Sequence, residues 1–158
     1  MVKYKLNFAE IEQGRPASVR DAAMAFKEIC YEYRDSLMAG LIVAGYDKSS
    51  GGQVWCVPVG GMAVRQPMCI GGSGSTYLYG MMDHMYKVRV TIMVQCVSLI
   101  LFFQENMSKK NCEDLVLQAV TQAIRRDGSS GGCCRMAIIT KDGVERKLWL
   151  NNELPIKW

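Results

Sequence analysis

Two glycine-rich turns carry the residue types that could do chemistry in this 158-residue chain. The first, IGGSGSTYLYG (70–80), includes Ser73 and lies between a strand-like and a helix-like segment. Such a turn can cradle a phosphate, because helix N-termini attract anions. Tyr77 replaces the third glycine of a dinucleotide fingerprint, and no Gly-Lys-Ser/Thr is present. We therefore expect a tight turn that leads into a helix.

The second turn, RRDGSSGG (125–132), combines the acid Asp127 with two hydroxyls, one of them Ser130. Asp and Ser are common turn residues, and glycine supplies the positive φ that ends many helices. Taken alone, the motif predicts a helix stop with Gly128 as its last residue. Its possible chemistry depends on which other residues the fold brings beside it.

Composition excludes several classes of site. The seven cysteines are odd in number, so we expect free thiols rather than a set of disulfides. The cysteines form no C-x-x-C pair and His84 is the one histidine, so we expect no metal and no cofactor. The net charge of +4 is scattered along the chain, which predicts neither a nucleic-acid face nor a membrane surface patch. With no apolar run at the N-terminus, we expect an intracellular protein.

The first clear elements are a helix and a hairpin. Ser18 followed by Asp21 resembles a capping box. The helix that follows has an apolar face at helical spacing, formed by Ala22, Phe26, Ile29 and Tyr33. Two Val/Ile-rich runs around KSSGG then predict a β-hairpin, which ends in a turn at residues 60–61. Residues 41–44 do not alternate with polar residues, which favours a layered sandwich with a sheet covered on both faces.

The rest of the chain predicts further strands and helices. Residues 62–87 predict a bent strand, a glycine turn and a helix capped by Ser75 or Thr76 that runs to about Lys87. A second helix follows Ser108. Its apolar stripe comprises Cys112, Leu115, Val116, Ala119, Val120, Ala123 and Ile124. The segment CCRMAIITKDGVERKLWL predicts a final hairpin.

Several of these motifs together resemble one known family. RQPMCIGGSGSTYLYG, RDGSSGG and NELP, with MAGLIVAGYD, GGQVWCVPVGG and AIITKDGVERK, resemble the second half of a proteasome β subunit over about 6–157. The caspase-like type and its interferon-inducible counterpart are the most similar. The resemblance implies an α+β fold in one domain over 1–158: a partial four-layer αββα sandwich, the N-terminal nucleophile hydrolase fold, without its first strands. It also implies assembly with proteasome α and β subunits, polypeptide substrates, and the cytoplasm and nucleus as location.

The resemblance also implies a chemistry. In this family an N-terminal threonine attacks the peptide carbonyl, with its own amine or a water as base. Matched by motif, Ser73, Asp127 and Ser130 are the accessory hydroxyl, acid and hydroxyl around the threonine amine. The threonine, its lysine, its aspartate and the oxyanion glycine are expected to precede Met1. None of the chain's own threonines, at positions 76, 91, 121 and 140, has a free α-amine.

An uncharged apolar stretch lies within residues 88–104. Joining HMYK directly to ENMSKK restores the short turn that the family has between two helices, so we expect residues 88–104 to be an insertion from a retained intron or a gene-model error. Codons for Val88–Arg89 and for residues 101–104 can match splice-donor and splice-acceptor sequences. A membrane segment needs about 20 apolar residues, which this run lacks. A buried strand is the other alternative, but we expect no gap for it in the family's sheet.

Two functions remain open. The chain can represent a threonine-protease subunit of the proteasome core whose first part lies elsewhere. Alternatively, it is a noncatalytic ring component or a misfolding splice product.

Overall fold

The computed structural model describes residues 1–85, 92–95, 98–102 and 108–155. The chain divides into two compact units, Met1–Gln66 and Pro67–Trp158. Each unit combines helices with an antiparallel sheet. Mixed helix and sheet content agrees with the predicted α+β class, whereas the four-layer stacking, the missing first strands and the single domain over 1–158 stay predictions.

The first unit contains two helices and a three-stranded sheet. Its helices are α1 (Val2–Gln13) and α2 (Val19–Glu32). The strands β1 (Leu41–Asp47), β2 (Gly51–Val57) and β3 (Val64–Arg65) pair in the order β1-β2-β3. The predicted hairpin is confirmed, with Leu41 opposite Val57 and Asp47 opposite Gly51.

The N-terminus of α2 is fixed by side chains, as predicted. The Ser18 hydroxyl accepts from the Asp21 amide at 3.1 Å, and the Ser18 amide donates to the Asp21 carboxylate at 2.9 Å. Arg15 donates to the same carboxylate at 2.8 Å. The bond from Arg15, followed by that from Ser18, lowers the pKa of Asp21 to about 2. The capping box thus defines where this helix begins.

The buried face of α2 differs from the predicted one. Tyr33 is exposed, and the other predicted positions are only half-buried. The buried residues are instead Ala23, Ala25 and Cys30. Because α2 packs against α1 as well as against β1 and β2, its buried residues lie on more than one side of the helix.

Strand β1 is also less covered than the apolar run at residues 41–44 suggested. Residues of β1 are half-buried, and Tyr46 is exposed. The turn after β2 is confirmed, because Gly60 and Gly61 both have positive φ. The predicted single bent strand after this turn is wrong. It breaks near Pro67, which has no backbone N–H to donate to a sheet.

The second unit contains a five-stranded sheet in the order β4-β6-β5-β7-β8. Its strands are β4 (Met68–Gly72), β5 (Ile92–Gln95), β6 (Ser98–Phe102), β7 (Cys133–Thr140) and β8 (Gly143–Leu150). All neighbouring strands are antiparallel. The β7–β8 pair is the predicted final hairpin.

The helices of this unit are α3 (Tyr79–Met85) and α4 (Lys109–Arg126), with short 3₁₀ helices at Ser73–Tyr77 and Asn151–Glu153. Ser108 caps α4, since its hydroxyl accepts from the Asn111 amide at 3.2 Å. The predicted stripe of α4 is confirmed. Its buried residues are Cys112, Leu115, Val116, Ala119, Val120, Thr121 and Ala123, and Ile124 is half-buried beside them.

Part of the apolar stretch lies within the sheet of this unit. Residues 92–95 and 98–102 form two strands between β4 and β7, so the strand alternative fits this structure. The expectation that the family's sheet has no gap for such a strand stays a prediction. The origin of residues 88–104 as an insertion stays a prediction. The predicted extension of α3 to Lys87 falls outside the described residues. Within the described ranges, no helix is both long and apolar enough to cross a membrane.

Candidate functional site

The first glycine-rich turn follows the end of β4. Gly72 has a φ of 93°, a value that favours glycine, and the 3₁₀ helix begins at Ser73. The predicted cap at Ser75 or Thr76 is therefore wrong, because both residues lie inside this helix. The Ser75 side chain is buried, and its hydroxyl donates back to the Gly72 carbonyl at 2.8 Å. This bond holds the turn that presents Ser73.

The second turn follows α4. Asp127, not Gly128, is the C-cap, with extended backbone angles (φ −96°, ψ 112°), and its amide donates to the Ala123 carbonyl at 2.8 Å. Gly128 does not take a positive φ, so the predicted glycine stop is wrong. Gly132 is the residue of this loop that does, at φ 83°, immediately before β7. The chain thus leaves the helix through an aspartate.

The two turns meet at the Asp127 carboxylate. The Ser73 hydroxyl donates to Asp127 Oδ2 at 2.6 Å across 54 residues of sequence, and the Ser130 hydroxyl donates to the same oxygen. Asp127 Oδ1 accepts from the Ser129 amide at 3.2 Å. Asp127 is buried, Ser130 is half-buried and Ser73 is exposed. The three residues predicted as site residues therefore form one cluster, which we call the Ser–Asp–Ser cluster.

Hydrogen bonds set the electrostatics of this cluster. The bonds from Ser130, then Ser73 and the Ser129 amide, lower the pKa of Asp127, while partial burial opposes them. The carboxylate is thus ionised at neutral pH. A carboxylate with a lowered pKa is a weak base, so it does not activate Ser73 as a nucleophile. The arrangement is suited to holding a positively charged donor.

Sequence reasoning missed the Ser129 amide. The signal was present, because an aspartate whose side chain accepts from the amide two residues later is a common turn that Asp-Gly-Ser favours. Metal binding is a separate matter. Among residues 1–85, 92–95, 98–102 and 108–155, no three His, Cys, Asp or Glu side chains come together as a possible metal site.

Comparisons with known proteins point to one family. The family model described as "Proteasome subunit" matches residues 1–139. A probable proteasome subunit beta type-1 of Schizosaccharomyces pombe is 42% identical over 149 residues, covering 94% of this chain and 58% of that protein.

Two other relatives give the same result. Proteasome subunit beta type-6 of Dictyostelium discoideum is 41% identical, covering 99% of this chain and 65% of its own length. Proteasome subunit beta type-9 of Oncorhynchus mykiss is 42% identical, covering 98% of this chain and 63% of its own length. The chain thus spans less than two thirds of the length of these relatives. It belongs to the proteasome β-subunit family.

Proposed function

We propose that this chain is part of a β subunit of the proteasome core particle and serves intracellular protein degradation. It assembles with proteasome α and β subunits in the cytoplasm and nucleus, and the complete subunit is a threonine-type endopeptidase acting on polypeptides. The support is the family match over residues 1–139 and the similarity to proteins named beta type-1, type-6 and type-9.

One observation carries the proposed role of the site: Ser73 and Ser130 converge on the Asp127 carboxylate. An ionised carboxylate attracts an ammonium group, and opposite charges interact more strongly at a partly buried site than in open water. The cluster therefore holds the amine of an N-terminal threonine and positions its hydroxyl for attack. In this role Asp127, Ser73 and Ser130 are positioning residues, while the threonine forms the covalent intermediate.

The nucleophile itself is supplied by residues outside this sequence. An internal threonine has its nitrogen in a peptide bond, so it lacks the amine that the cluster would hold. Thr121, for example, is buried in α4, where its hydroxyl donates to the Leu117 carbonyl at 2.7 Å. This sequence alone is accordingly inactive.

A second candidate function is a noncatalytic ring component or a nonfunctional splice product. Its support is that residues 88–104 interrupt the join between two predicted helices. A full-length transcript aligned to genomic DNA distinguishes the candidates. An N-terminal threonine codon upstream and a direct junction between codons 87 and 105 support the protease, whereas a transcript that matches this sequence supports the second candidate.

The role of the cluster is tested in assembled core particles that carry the complete subunit. We expect Asp127→Asn to lower hydrolysis of a fluorogenic peptide by about 10- to 100-fold, the range for loss of a hydrogen bond to a charged group. Ser73→Ala lowers it less, because Ser130 still donates to Asp127. Thr76→Ala is the control, since it removes an exposed hydroxyl from the same 3₁₀ helix. Full activity of an incorporated Asp127→Asn subunit would contradict the proposed role.

A further inference from the structure

The β5–β6 hairpin lies inside the sheet of the second unit rather than at its edge. On one side β6 pairs with β4, and on the other β5 pairs with β7. Without the hairpin, β4 and β7 would each lose a pairing partner, and unpaired backbone groups are costly when they are buried. The hairpin therefore fills a position that is two strands wide.

The register matches apolar residues across this position. Ile70 of β4 is opposite Ile100, Ile100 is opposite Val94, and Val94 is opposite Met136 of β7. Directly opposed residues of an antiparallel sheet share a face, so these four form one row. Its two outer members, Ile70 and Met136, are buried in the core cluster that includes α4. The row is thus apolar from β4 to β7.

The adjacent row is apolar as well. It runs from Cys69 through Leu101 and Met93 to Ala137. The polar residues of the two strands stand only at their ends, with Ser98 opposite Gly72 and Gln95 opposite Arg135. A strand that is apolar at consecutive positions suits a sheet covered on both faces. The sequence of the hairpin therefore fits the position that it occupies.

Helix α4 gives a second, independent observation. It packs against both β5 and β6. Its residues Val116, Ala119 and Val120 are fully buried. Burying residues of this size contributes about 1–3 kcal/mol each. The backbones of β5 and β6 thus lie in the part of the sheet against which α4 packs.

The hairpin also reaches the end of the sheet where the Ser–Asp–Ser cluster lies. Ser98 is opposite Gly72, the residue before Ser73, and Gln95 is opposite Arg135, near the start of β7. We propose that strands β5 and β6 act as a built-in sheet insert, which occupies the position between β4 and β7 beside the cluster and closes it to strands from any other polypeptide. This inference does not rest on the proposed function.

Residue-resolved hydrogen exchange of the 158-residue chain tests the proposal. Consecutive amides of an inner antiparallel strand donate alternately to the two neighbouring strands. With the hairpin in place, we expect the amides of residues 135–137 in β7 to be protected alike. With the hairpin elsewhere, every second amide would exchange at least about 100-fold faster than its neighbour. Either that alternation or fast exchange throughout β7 would overturn the proposal.

A crosslink tests the register independently. Leu101 is opposite the native Cys69, so Leu101→Cys should form a disulfide between positions 69 and 101 under mild oxidation, detected by peptide mapping. Ile100→Cys is the matched control, because a shift of one residue moves the thiol to the other face of the sheet. A 69–101 disulfide with no 69–100 product supports the proposal. Equal yields of both, or neither, would contradict it.

Discussion

Gly61 is a position where a single added methyl group should lower the free energy of unfolding markedly. A Cβ at this residue would lie 2.5 Å from the Tyr31 backbone nitrogen and 2.6 Å from the Tyr31 Cα. These atoms belong to the C-terminal turn of α2 and cannot rotate away as a flexible side chain can. Gly61 also has a φ of 81°, which side chains with a Cβ disfavour.

The neighbouring Gly60 offers a matched control. Its φ is 99°, but a Cβ there would meet no atom within 4 Å. Gly60→Ala should therefore cost only the backbone conformation, about 1–2 kcal/mol of unfolding free energy. Gly61→Ala adds overpacking against α2, about 1–3 kcal/mol, for a total loss of about 2–5 kcal/mol.

Urea unfolding followed by circular dichroism measures both variants. The prediction is that the midpoint of Gly61→Ala lies clearly below that of Gly60→Ala, with both below the parent chain. Equal midpoints for the two variants would refute the contact between the turn and α2. A second substitution, Gly61→Val, should lower the midpoint further than Gly61→Ala.

Three further predictions concern other described residues. Asp21→Ala should lower the free energy of unfolding by about 1 kcal/mol above about pH 4. Because the pKa of Asp21 is lowered to about 2, this difference from the parent chain should shrink as the pH falls from about 4 to about 2. Thermal unfolding at several pH values measures it. Burial, with a smaller effect from Glu113, raises the pKa of the Cys112 thiol to about 12. Iodoacetamide at pH 8 should therefore label buried Cys112 far more slowly than half-buried Cys56, and equal labelling in the folded chain would exclude this burial. Gly45→Ala would bring a Cβ within 2.8 Å of Val19 Cγ2, so we expect the free energy of unfolding in urea to fall by about 1 kcal/mol. In the double variant, Val19→Ala should partly offset this loss, whereas strictly additive losses would contradict the contact.

Local sequence signals predicted the elements that depend on near neighbours. The capping box at Ser18, the cap at Ser108 and the hairpins at residues 41–57 and 133–150 all rest on groups a few residues apart. The α4 stripe was also predictable, because a helix packed on a sheet buries one face. The buried residues of α2 were not predictable in this way, because α1 and the sheet contact this helix from different sides.

Long-range arrangement needed more than local pattern. Nothing in the spacing of Ser73 and Asp127 indicates that their side chains meet, and the two were connected only through the family resemblance. The apolar stretch shows the same limit. Its composition was compatible with a strand, but which strands it joins depends on partners far along the chain, from β4 to β7.

The hydrogen bonds of Asp127 indicate what the cluster can do. An ionised carboxylate has about four lone-pair positions. Ser73, Ser130 and the Ser129 amide use three of them. A cationic N–H donor suits the fourth, because it gains both a hydrogen bond and the attraction of the negative charge.

Neutral donors compete poorly for that position. A hydroxyl or amide gains the hydrogen bond without the attraction between opposite charges. The bonds from the two serines keep Asp127 ionised, and in the proposed function its negative charge favours an ammonium group over a neutral donor. Asp127→Asn removes the negative charge and leaves both serines in place, so it should abolish the preference for an ammonium group. A cluster that still functions with asparagine would have to act through its shape alone.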